Sequence, residues 1–397
     1  MSTSDVLLDK ENGLGRITLN RPKALNALTH EMVLAIQDAL TAWEHDDDVH
    51  AVVIAGAGER GLCAGGDIRA IYEDARTGDG RASAAFWRDE YRLNAHINRY
   101  GKPYVALMDG IVMGGGVGVS AHGSVRVVTE RSVIGMPEVG IGFIPDVGGT
   151  YLLSRTPGEL GTHAALTTAR LGPGDAIACG LADHFVPSAD LAAFVEALAA
   201  EGPAAAVASF ATTPPPSELA AQRGWIDPCY SADTIEEIIA RLRDSGDQAA
   251  KEAAEQISAK SPTSLKVSLR ALREARNLDT LEQALERELH IARLILAAPD
   301  MAEGIRAQVV DKDRNPAWSP ATLHEVTPER VEHFFTGIDR AEPFLTGEGA
   351  GDGHEGHRGA SRTAPAAPPA PAAPDAPAVS DALDVSDASD ASEGETR

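Results

Sequence analysis

Apolar residues recur along the first half of the chain with two spacings, one typical of strands and one typical of helices. Residues 15–20 alternate polar and apolar side chains, which predicts a half-buried strand. Between Thr29 and Glu44 the apolar residues return every three or four positions, and Thr29 is a suitable N-cap, so we predict a helix. Two short apolar runs, residues 50–55 and 104–108, predict strands that are buried on both faces.

The same spacings continue between and after these strands. They predict helices over residues 68–76, 83–100, 159–170 and 173–180 and strands over residues 125–129 and 132–136. Because predicted strands alternate with predicted helices, we expect an α/β architecture.

Strand patterns become rare beyond residue 188, where helical spacing dominates. The predicted helices there span residues 191–200, 234–244, 248–259, 264–275 and 278–297. Three consecutive prolines, residues 214–216, cannot lie inside a helix and indicate a kink or linker. From about residue 347 the chain is dominated by Gly, Ala, Pro, Ser and Asp, a composition typical of disorder. We therefore expect a core over residues 1–205, a helical C-terminal region over 206–346 and a disordered acidic tail over 347–397.

Composition and charge narrow the range of partners. A hydrophobic content of 43% is enough for a large core, and a formal net charge of −24 disfavours nucleic acid and anionic membrane surfaces as ligands. We find no secretory signal and no uncharged run of membrane-spanning length. The three cysteines are far apart and odd in number, which predicts neither a disulfide framework nor a zinc site. We expect a cytoplasmic protein that binds a small molecule.

Two glycine-rich segments are candidates for anion binding by the backbone. Residues 114–116 precede a short helix that we predict to continue through Ala121, and amides at the start of a helix lack intrahelical acceptors. These amides could hold a developing oxyanion, and residues 65–67 could supply a second donor. A tight turn is the alternative interpretation of each segment. Neither has the spacing of a dinucleotide site or the Lys-Ser/Thr ending of a phosphate loop.

Three carboxylates lie in apolar surroundings. Glu138 is flanked by Met136 and Val139, so burial is expected to raise its pKa and suit it to proton transfer. Asp146 precedes a predicted helix, and capping of that helix is its alternative role. Glu90 lies on the apolar stripe of its predicted helix, where a carboxylate reaching solvent is the alternative.

These segments together resemble the crotonase (enoyl-CoA hydratase/isomerase) superfamily. The resemblance is carried by residues 61–67, 113–116 and 136–138. A closer resemblance, to the 3-hydroxyisobutyryl-CoA hydrolase family, rests on residues 63–69, 86–91, 113–118, 136–138, 143–149, 303–307 and 311–318. It implies a ββα spiral core followed by a helical C-terminal region.

The resemblance also implies roles for the candidate residues. The amides of Gly66 and Gly115 would polarise a thioester carbonyl, and the substrate would contact Glu90, Gly115, Glu138 and Asp146. The family pattern implies no metal and no redox cofactor. Coenzyme A would be part of the substrate.

One position departs from the hydratases that share this pattern. They place the first of two glutamates two residues after the triple glycine, where this chain has Gly118. Hydration is therefore disfavoured, whereas thioester hydrolysis needs an oxyanion hole and one carboxylate acting as base or nucleophile. We assign that carboxylate to Glu138. Asp146 would orient the 3-hydroxyl group or help protonate the departing thiol, and a covalent anhydride and a directly activated water both stay open.

We therefore expect hydrolysis of 3-hydroxyisobutyryl-CoA, and also of 3-hydroxypropionyl-CoA, to the free acid and CoA, as in valine breakdown. One alternative is an enoyl-CoA hydratase or isomerase that uses Glu138 with Asp146. The other is an acyl-CoA-binding protein without catalytic activity. A homo-oligomer is compatible with this sequence.

Overall fold

The computed structural model describes residues 4–338 and residue 345, and within them nine strands form two sheets. In chain order the strands are β1 (Val6–Glu11), β2 (Leu14–Leu19), β3 (Ala51–Gly56), β4 (Gly61–Cys63), β5 (Tyr104–Met108), β6 (Ile111–Met113), β7 (Val125–Val128), β8 (Val133–Gly135) and β9 (His184–Phe185). The larger sheet has the order β1-β2-β3-β5-β7-β9, and the smaller one the order β4-β6-β8. The pair β1 and β2 is antiparallel, and the other pairs are parallel.

From β3 onward, consecutive strands alternate between the two sheets. The pairs β3 and β4, β5 and β6, and β7 and β8 each place one strand in the larger sheet and the next in the smaller sheet. Helices follow these strand pairs and return the chain for the next turn. This arrangement confirms the predicted α/β fold with a ββα spiral.

Seventeen α-helices occur in the described part of the chain. They are α1 (His30–Glu44), α2 (Ile68–Thr77), α3 (Arg81–Asn98), α4 (Gly115–Gly118), α5 (Gly149–Leu153), α6 (Leu160–Thr167), α7 (Pro173–Ala178), α8 (Leu191–Glu201), α9 (Pro203–Phe210), α10 (Glu218–Ala221), α11 (Arg223–Tyr230), α12 (Ile235–Asp244), α13 (Gln248–Ser258), α14 (Pro262–Ala275), α15 (Leu281–Leu296), α16 (Pro299–Ile305) and α17 (Pro328–His333). A π turn, Arg306–Val310, directly follows α16. None of the helices within residues 4–338 has the length and apolar character needed to cross a bilayer.

Most predicted elements are present, and the differences have local causes. Strand β1 was missed because only Val6 of its six residues is buried, so it shows no apolar alternation. Strands β4 and β6 have three residues each, which is too short for a periodic pattern. The helix predicted to continue through Ala121 ends at Gly118, and the turn that follows it is held by the Ser120 and Ala121 N–H groups, which both donate to the Val117 carbonyl.

The core joins the spiral to the C-terminal helices. Ile54 and Met108 of the larger sheet belong to the same cluster of buried side chains as Leu272 of α14 and Leu285 of α15. Each fully buried leucine contributes about 1.5–3 kcal/mol relative to an exposed one. Residues 4–338 belong to one compact unit, so the division of the chain at residue 205 stays a prediction. The tail predicted over residues 347–397 lies outside the described residues.

Candidate active site

A cavity of about 370 Å³ lies where the segments after β4 and β6 meet α3, α16 and the π turn. The residues predicted from the sequence as site residues all line it, and they are Gly66, Glu90, Gly115, Glu138 and Asp146. The C-terminal region contributes Lys260, Met301, Gln308 and Val309 to the same wall. One cavity therefore brings together groups that lie far apart in the chain.

The amides of Gly66 and Gly115 form one side of this cavity. Strands β4 and β6 pair in parallel, so the segments that follow them lie side by side. A Cβ atom on Gly115 would lie only 3.2 Å from the Gly66 nitrogen. Neither amide donates a hydrogen bond to an acceptor within the described residues. Two unpaired donors this close are suited to bind a single oxygen atom.

Gly114 explains why this segment needs glycine. Its backbone has φ +50° and ψ −118°, a conformation that side chains strongly disfavour. A Cβ atom there would lie 2.8 Å from Glu138 Oε1. The turn can therefore approach the Glu138 carboxyl group closely only because position 114 carries no side chain.

Glu138 begins a 3₁₀ turn, Glu138–Ile141, that follows β8. Its side chain is buried, as expected from the apolar flanking residues, and Oε2 has no hydrogen-bond partner among the described residues. Burial, with the nearby Asp146 carboxyl group second, raises the pKa of Glu138 well above its usual range. A carboxyl group with a raised pKa is a stronger base than an exposed carboxylate, which suits Glu138 to proton transfer.

Glu90 lies on α3 and is 2% exposed, so the alternative of a carboxylate reaching solvent is wrong. A Cβ atom on Gly115 would lie 2.5 Å from Glu90 Oε1, and that oxygen has no partner within residues 4–338. Burial, followed by repulsion from Asp146, raises the pKa of Glu90 well above its usual range. Glu90 thus places an unpaired carboxyl oxygen beside the two amides.

Asp146 lies in the turn between the 3₁₀ segment and α5. The Tyr91 hydroxyl donates a hydrogen bond of 2.8 Å to its Oδ2 atom. The N-cap residue of α5 is Gly148, and the side chain that accepts a hydrogen bond from the first turn of that helix belongs to Glu288, so the capping role considered for Asp146 is wrong. Burial raises the pKa of Asp146 to about 7, although the Tyr91 hydrogen bond opposes this change.

The position that departs from the hydratases has no room for a side chain. A Cβ atom on Gly118 would lie 2.8 Å from Asn94 Nδ2 and 2.8 Å from Val147 Cβ. Asn94 and Val147 are themselves buried. A second glutamate at this position would therefore require both neighbours to move.

Several lining residues carried no sequence signal of their own. The Trp87 ring stacks on Phe143 with centroids 5.2 Å apart, and both line the cavity. Lys260 donates a 2.9 Å hydrogen bond to the Thr168 hydroxyl, and burial lowers the pKa of this lysine. Trp87 lies within the segment 86–91 that supported the resemblance, which is the one signal that pointed to it. Nothing in the local pattern around Lys260 separates it from a surface lysine.

The described residues contain no group of three or more His, Cys, Asp or Glu side chains placed to hold a metal ion. The expectation that the reaction uses no metal or redox cofactor stays a prediction.

The enoyl-CoA hydratase/isomerase family model matches residues 14–335 of this chain. The chain therefore belongs to the enoyl-CoA hydratase/isomerase family. Within this family, it is 42% identical over 345 residues to the mitochondrial 3-hydroxyisobutyryl-CoA hydrolase of Gallus gallus, covering 84% of this chain and 89% of that protein. The Homo sapiens protein of the same name is 42% identical over 355 residues, covering 86% of this chain and 91% of that protein.

Solved structures of family members share the fold. A structure described as a carnitinyl-CoA dehydratase from Mycobacterium thermoresistibile is 56% identical, with a TM-score of 0.84, and covers 87% of this chain and 100% of its own. A structure described as an enoyl-CoA hydratase from Rhodobacter sphaeroides 2.4.1 is 42% identical, with a TM-score of 0.80, and covers 84% of this chain and 97% of its own. These matches confirm the resemblance to the crotonase superfamily.

The comparison also corrects one expectation. We predicted a cytoplasmic location from the absence of a signal and the spacing of the cysteines. The hydrolases named above are mitochondrial proteins, so that prediction is wrong. Isolated cysteines indicate a reducing compartment, and this property does not separate one reducing compartment from another.

Proposed function

We propose that this protein hydrolyses the thioester of 3-hydroxyisobutyryl-CoA, and that of 3-hydroxypropionyl-CoA, to the free 3-hydroxy acid and CoA. The supporting observation is a buried carboxyl group, Glu138, whose Oε2 atom has no partner among the described residues, in the same cavity as two amides without acceptors and at a site where position 118 has no room for a second glutamate. The names of the relatives that match across most of the chain support the same substrate.

In this reaction the two amides act on the thioester oxygen. The carbonyl oxygen accepts hydrogen bonds from Gly66 N–H and Gly115 N–H, which the pairing of β4 with β6 brings to the same side of the cavity. Negative charge develops on this oxygen when the carbonyl carbon is attacked, so the amides bind the transition state more strongly than the substrate.

Glu138 drives the attack on the thioester carbon. In its ionised form it either takes a proton from a water whose oxygen attacks that carbon, or attacks the carbon itself to form an anhydride, which water then hydrolyses to the free acid and the Glu138 carboxylate. The carbon–sulfur bond then breaks, and Asp146 in its protonated form gives the thiolate a proton or holds the 3-hydroxyl group. Single turnover in ¹⁸O-labelled water separates the two routes, because the label enters the Glu138 carboxyl group only if an anhydride forms.

A free-thiol assay across a panel of thioesters tests the proposal. We expect CoA release from 3-hydroxyisobutyryl-CoA and 3-hydroxypropionyl-CoA without a change in enoyl absorbance. Absence of release by the purified protein contradicts the proposal, and tight binding of the thioesters without turnover would instead select the acyl-CoA-binding alternative.

Water addition or removal is the second candidate, because the two similar solved structures are described as a dehydratase and a hydratase. Hydration of crotonyl-CoA faster than thioester cleavage would select it. The filled space at Gly118 is the structural reason that we expect the opposite result.

A further inference from the structure

Glu288 is a buried carboxyl group on α15 that the reaction above does not use. It is 1% exposed, and its Oε2 atom accepts a hydrogen bond of 2.7 Å from Gly148 N–H. Its Oε1 atom accepts a hydrogen bond of 3.0 Å from Thr150 N–H and another from the Thr150 hydroxyl. A side chain of the C-terminal region thus holds the backbone of a turn that lies 138 to 140 residues earlier in the chain.

The turn that Glu288 holds has an unfavourable backbone conformation. Val147 has φ +51° and Gly148 has φ +80°. A β-branched residue in the left-handed region costs about 1–3 kcal/mol, and it persists only where the surroundings hold it. On the other side of the turn, His122 Nε2 donates a 2.7 Å hydrogen bond to the Val147 carbonyl. Burial lowers the pKa of His122 to about 4, so this imidazole stays neutral as a donor.

Asp146 is the residue immediately before this turn. Its carboxyl group reaches the Tyr91 hydroxyl and the cavity, and its backbone continues directly into the left-handed residues Val147 and Gly148. We infer that Glu288 is a positioning residue, which fixes this turn through the Gly148 and Thr150 amides and thereby holds Asp146 at the reacting end of the substrate. This inference rests on the proposed hydrolysis.

Glu288 also acts on the site through its charge. The titratable groups that face it are Asp146 on the turn, Tyr91 on α3 and Glu138 on the 3₁₀ turn, with His122 on the far side of the turn. Burial, with Asp146 adding to it, raises the pKa of Glu288 to about 8. The Glu138 carboxyl group ionises less readily when Glu288 is charged, so replacing Glu288 with a neutral group lowers the pKa of Glu138.

The test compares Glu288→Gln with Thr150→Val in the thioester hydrolysis assay. Glutamine keeps the volume but offers one acceptor oxygen, so it leaves the Gly148 or the Thr150 amide unpaired. We expect kcat to fall about 10-fold to 100-fold with a smaller change in KM, because a small displacement of a positioned group costs this much. We expect the limb of the pH profile that Glu138 sets to move to lower pH and the limb that Asp146 sets to stay in place. Thr150→Val is the matched control, because it removes one hydroxyl donor and keeps the Glu288 carboxyl group. Both limbs of its pH profile should therefore stay in place.

Coincident pH profiles of Glu288→Gln and the wild type would overturn the inference, as would identical limb shifts in Thr150→Val. If Glu288→Gln does not fold, Glu288→Asp replaces it, because aspartate keeps the charge and shortens the reach. That variant should lose kcat without moving the limbs, and a folded Glu288→Asp with wild-type kcat would overturn the inference. The wild-type protein in the same assay tests the proposed hydrolysis itself. Absence of CoA release by the wild type contradicts the hydrolysis, whereas normal release by the wild type together with unaltered variants contradicts the role of Glu288.

Discussion

The two sides of the cavity are made of different chemical groups. On one side the donors are backbone amides, Gly66 and Gly115, and their spacing follows from the pairing of β4 with β6. On the other side the groups are side chains, Glu138 and Asp146, whose protonation depends on what surrounds them. The amide side is thus fixed in place and in charge state, whereas the carboxyl side responds to pH and to its neighbours. This difference predicts that the two sides will respond differently to substitution.

The largest effect is expected on the carboxyl side, for Glu138→Gln. The amide of glutamine fills the same space but cannot take a proton or attack the thioester, so hydrolysis should fall about 10²-fold to 10⁴-fold. CoA release under saturating substrate measures this loss. Glu255→Gln, at an exposed position of α13, is the matched control and should keep full activity. Near-normal turnover by a folded Glu138→Gln would remove Glu138 from the central role.

The next effect is expected on the amide side, for Gly115→Ala. The added Cβ atom would lie 2.5 Å from Glu90 Oε1 and 3.2 Å from the Gly66 nitrogen, so the two donors must separate. Loss of one oxyanion donor costs about 10²-fold to 10³-fold in kcat. Unlike the loss in Glu138→Gln, this loss should not depend on pH, because amides do not titrate.

Gly224→Ala is the control for that substitution, since a Cβ atom on Gly224 would have no neighbour within 4 Å. It should leave kcat unchanged and raise the thermal midpoint of unfolding slightly, because Gly224 lies in α11 and alanine is favoured over glycine in a helix. A folded Gly115→Ala with full activity would show that the thioester oxygen binds elsewhere.

The smallest of these effects is a change of stability with pH in Asp146→Asn. Asp146 has a pKa of about 7 in the folded protein, against 3.8 in an unfolded chain, so the folded protein binds this proton more tightly. The stability that Asp146 contributes is therefore full below pH 3.8 and is lost as the pH rises towards 7. Asparagine does not titrate, so the variant does not lose stability in this way. Between pH 3.8 and 7 the free energy of unfolding of the variant, relative to that of the wild type, should therefore rise by up to about 1.4 kcal/mol per pH unit.

Urea unfolding of Asp146→Asn and the wild type, at pH 5 and at pH 8, measures this difference. An equal difference in unfolding free energy at both values would show that Asp146 titrates in the folded protein as it does in the unfolded chain. That result would also weaken the contrast between the two sides of the cavity, because it would make Asp146 insensitive to its surroundings.

The sequence revealed residues whose type is unusual in their local pattern. Glu138 among apolar residues and the glycines at 114–116 stand out in this way, and both line the cavity. Asp146 was ambiguous, because a carboxylate before a helix fits a cap as well as a reacting group. Its partner, Tyr91, lies 55 residues earlier, and only the fold shows that the two meet.

Lys260 and Glu288 could not be predicted because their neighbours are distant in the chain. Lys260 contacts Thr168, 92 residues away, and Glu288 holds a turn 138 to 140 residues away. Each lies on or beside an ordinary amphipathic helix, where a charged residue most often faces solvent. Burial of Glu288 is a property of the packing between helices that no local window contains.

The sequence by itself determined the alternation of strands and helices, the glycine segments and the carboxyl groups in apolar surroundings, because these depend on neighbours within a few residues. Tertiary structure decided which of these groups meet. The pairing of β4 with β6 brought the Gly66 and Gly115 amides together, and the packing of α3 and α15 against one turn placed Tyr91 and Glu288 around Asp146. The raised pKa of Asp146 is likewise tertiary, since burial by residues distant in sequence removes the water that would otherwise stabilise its charge.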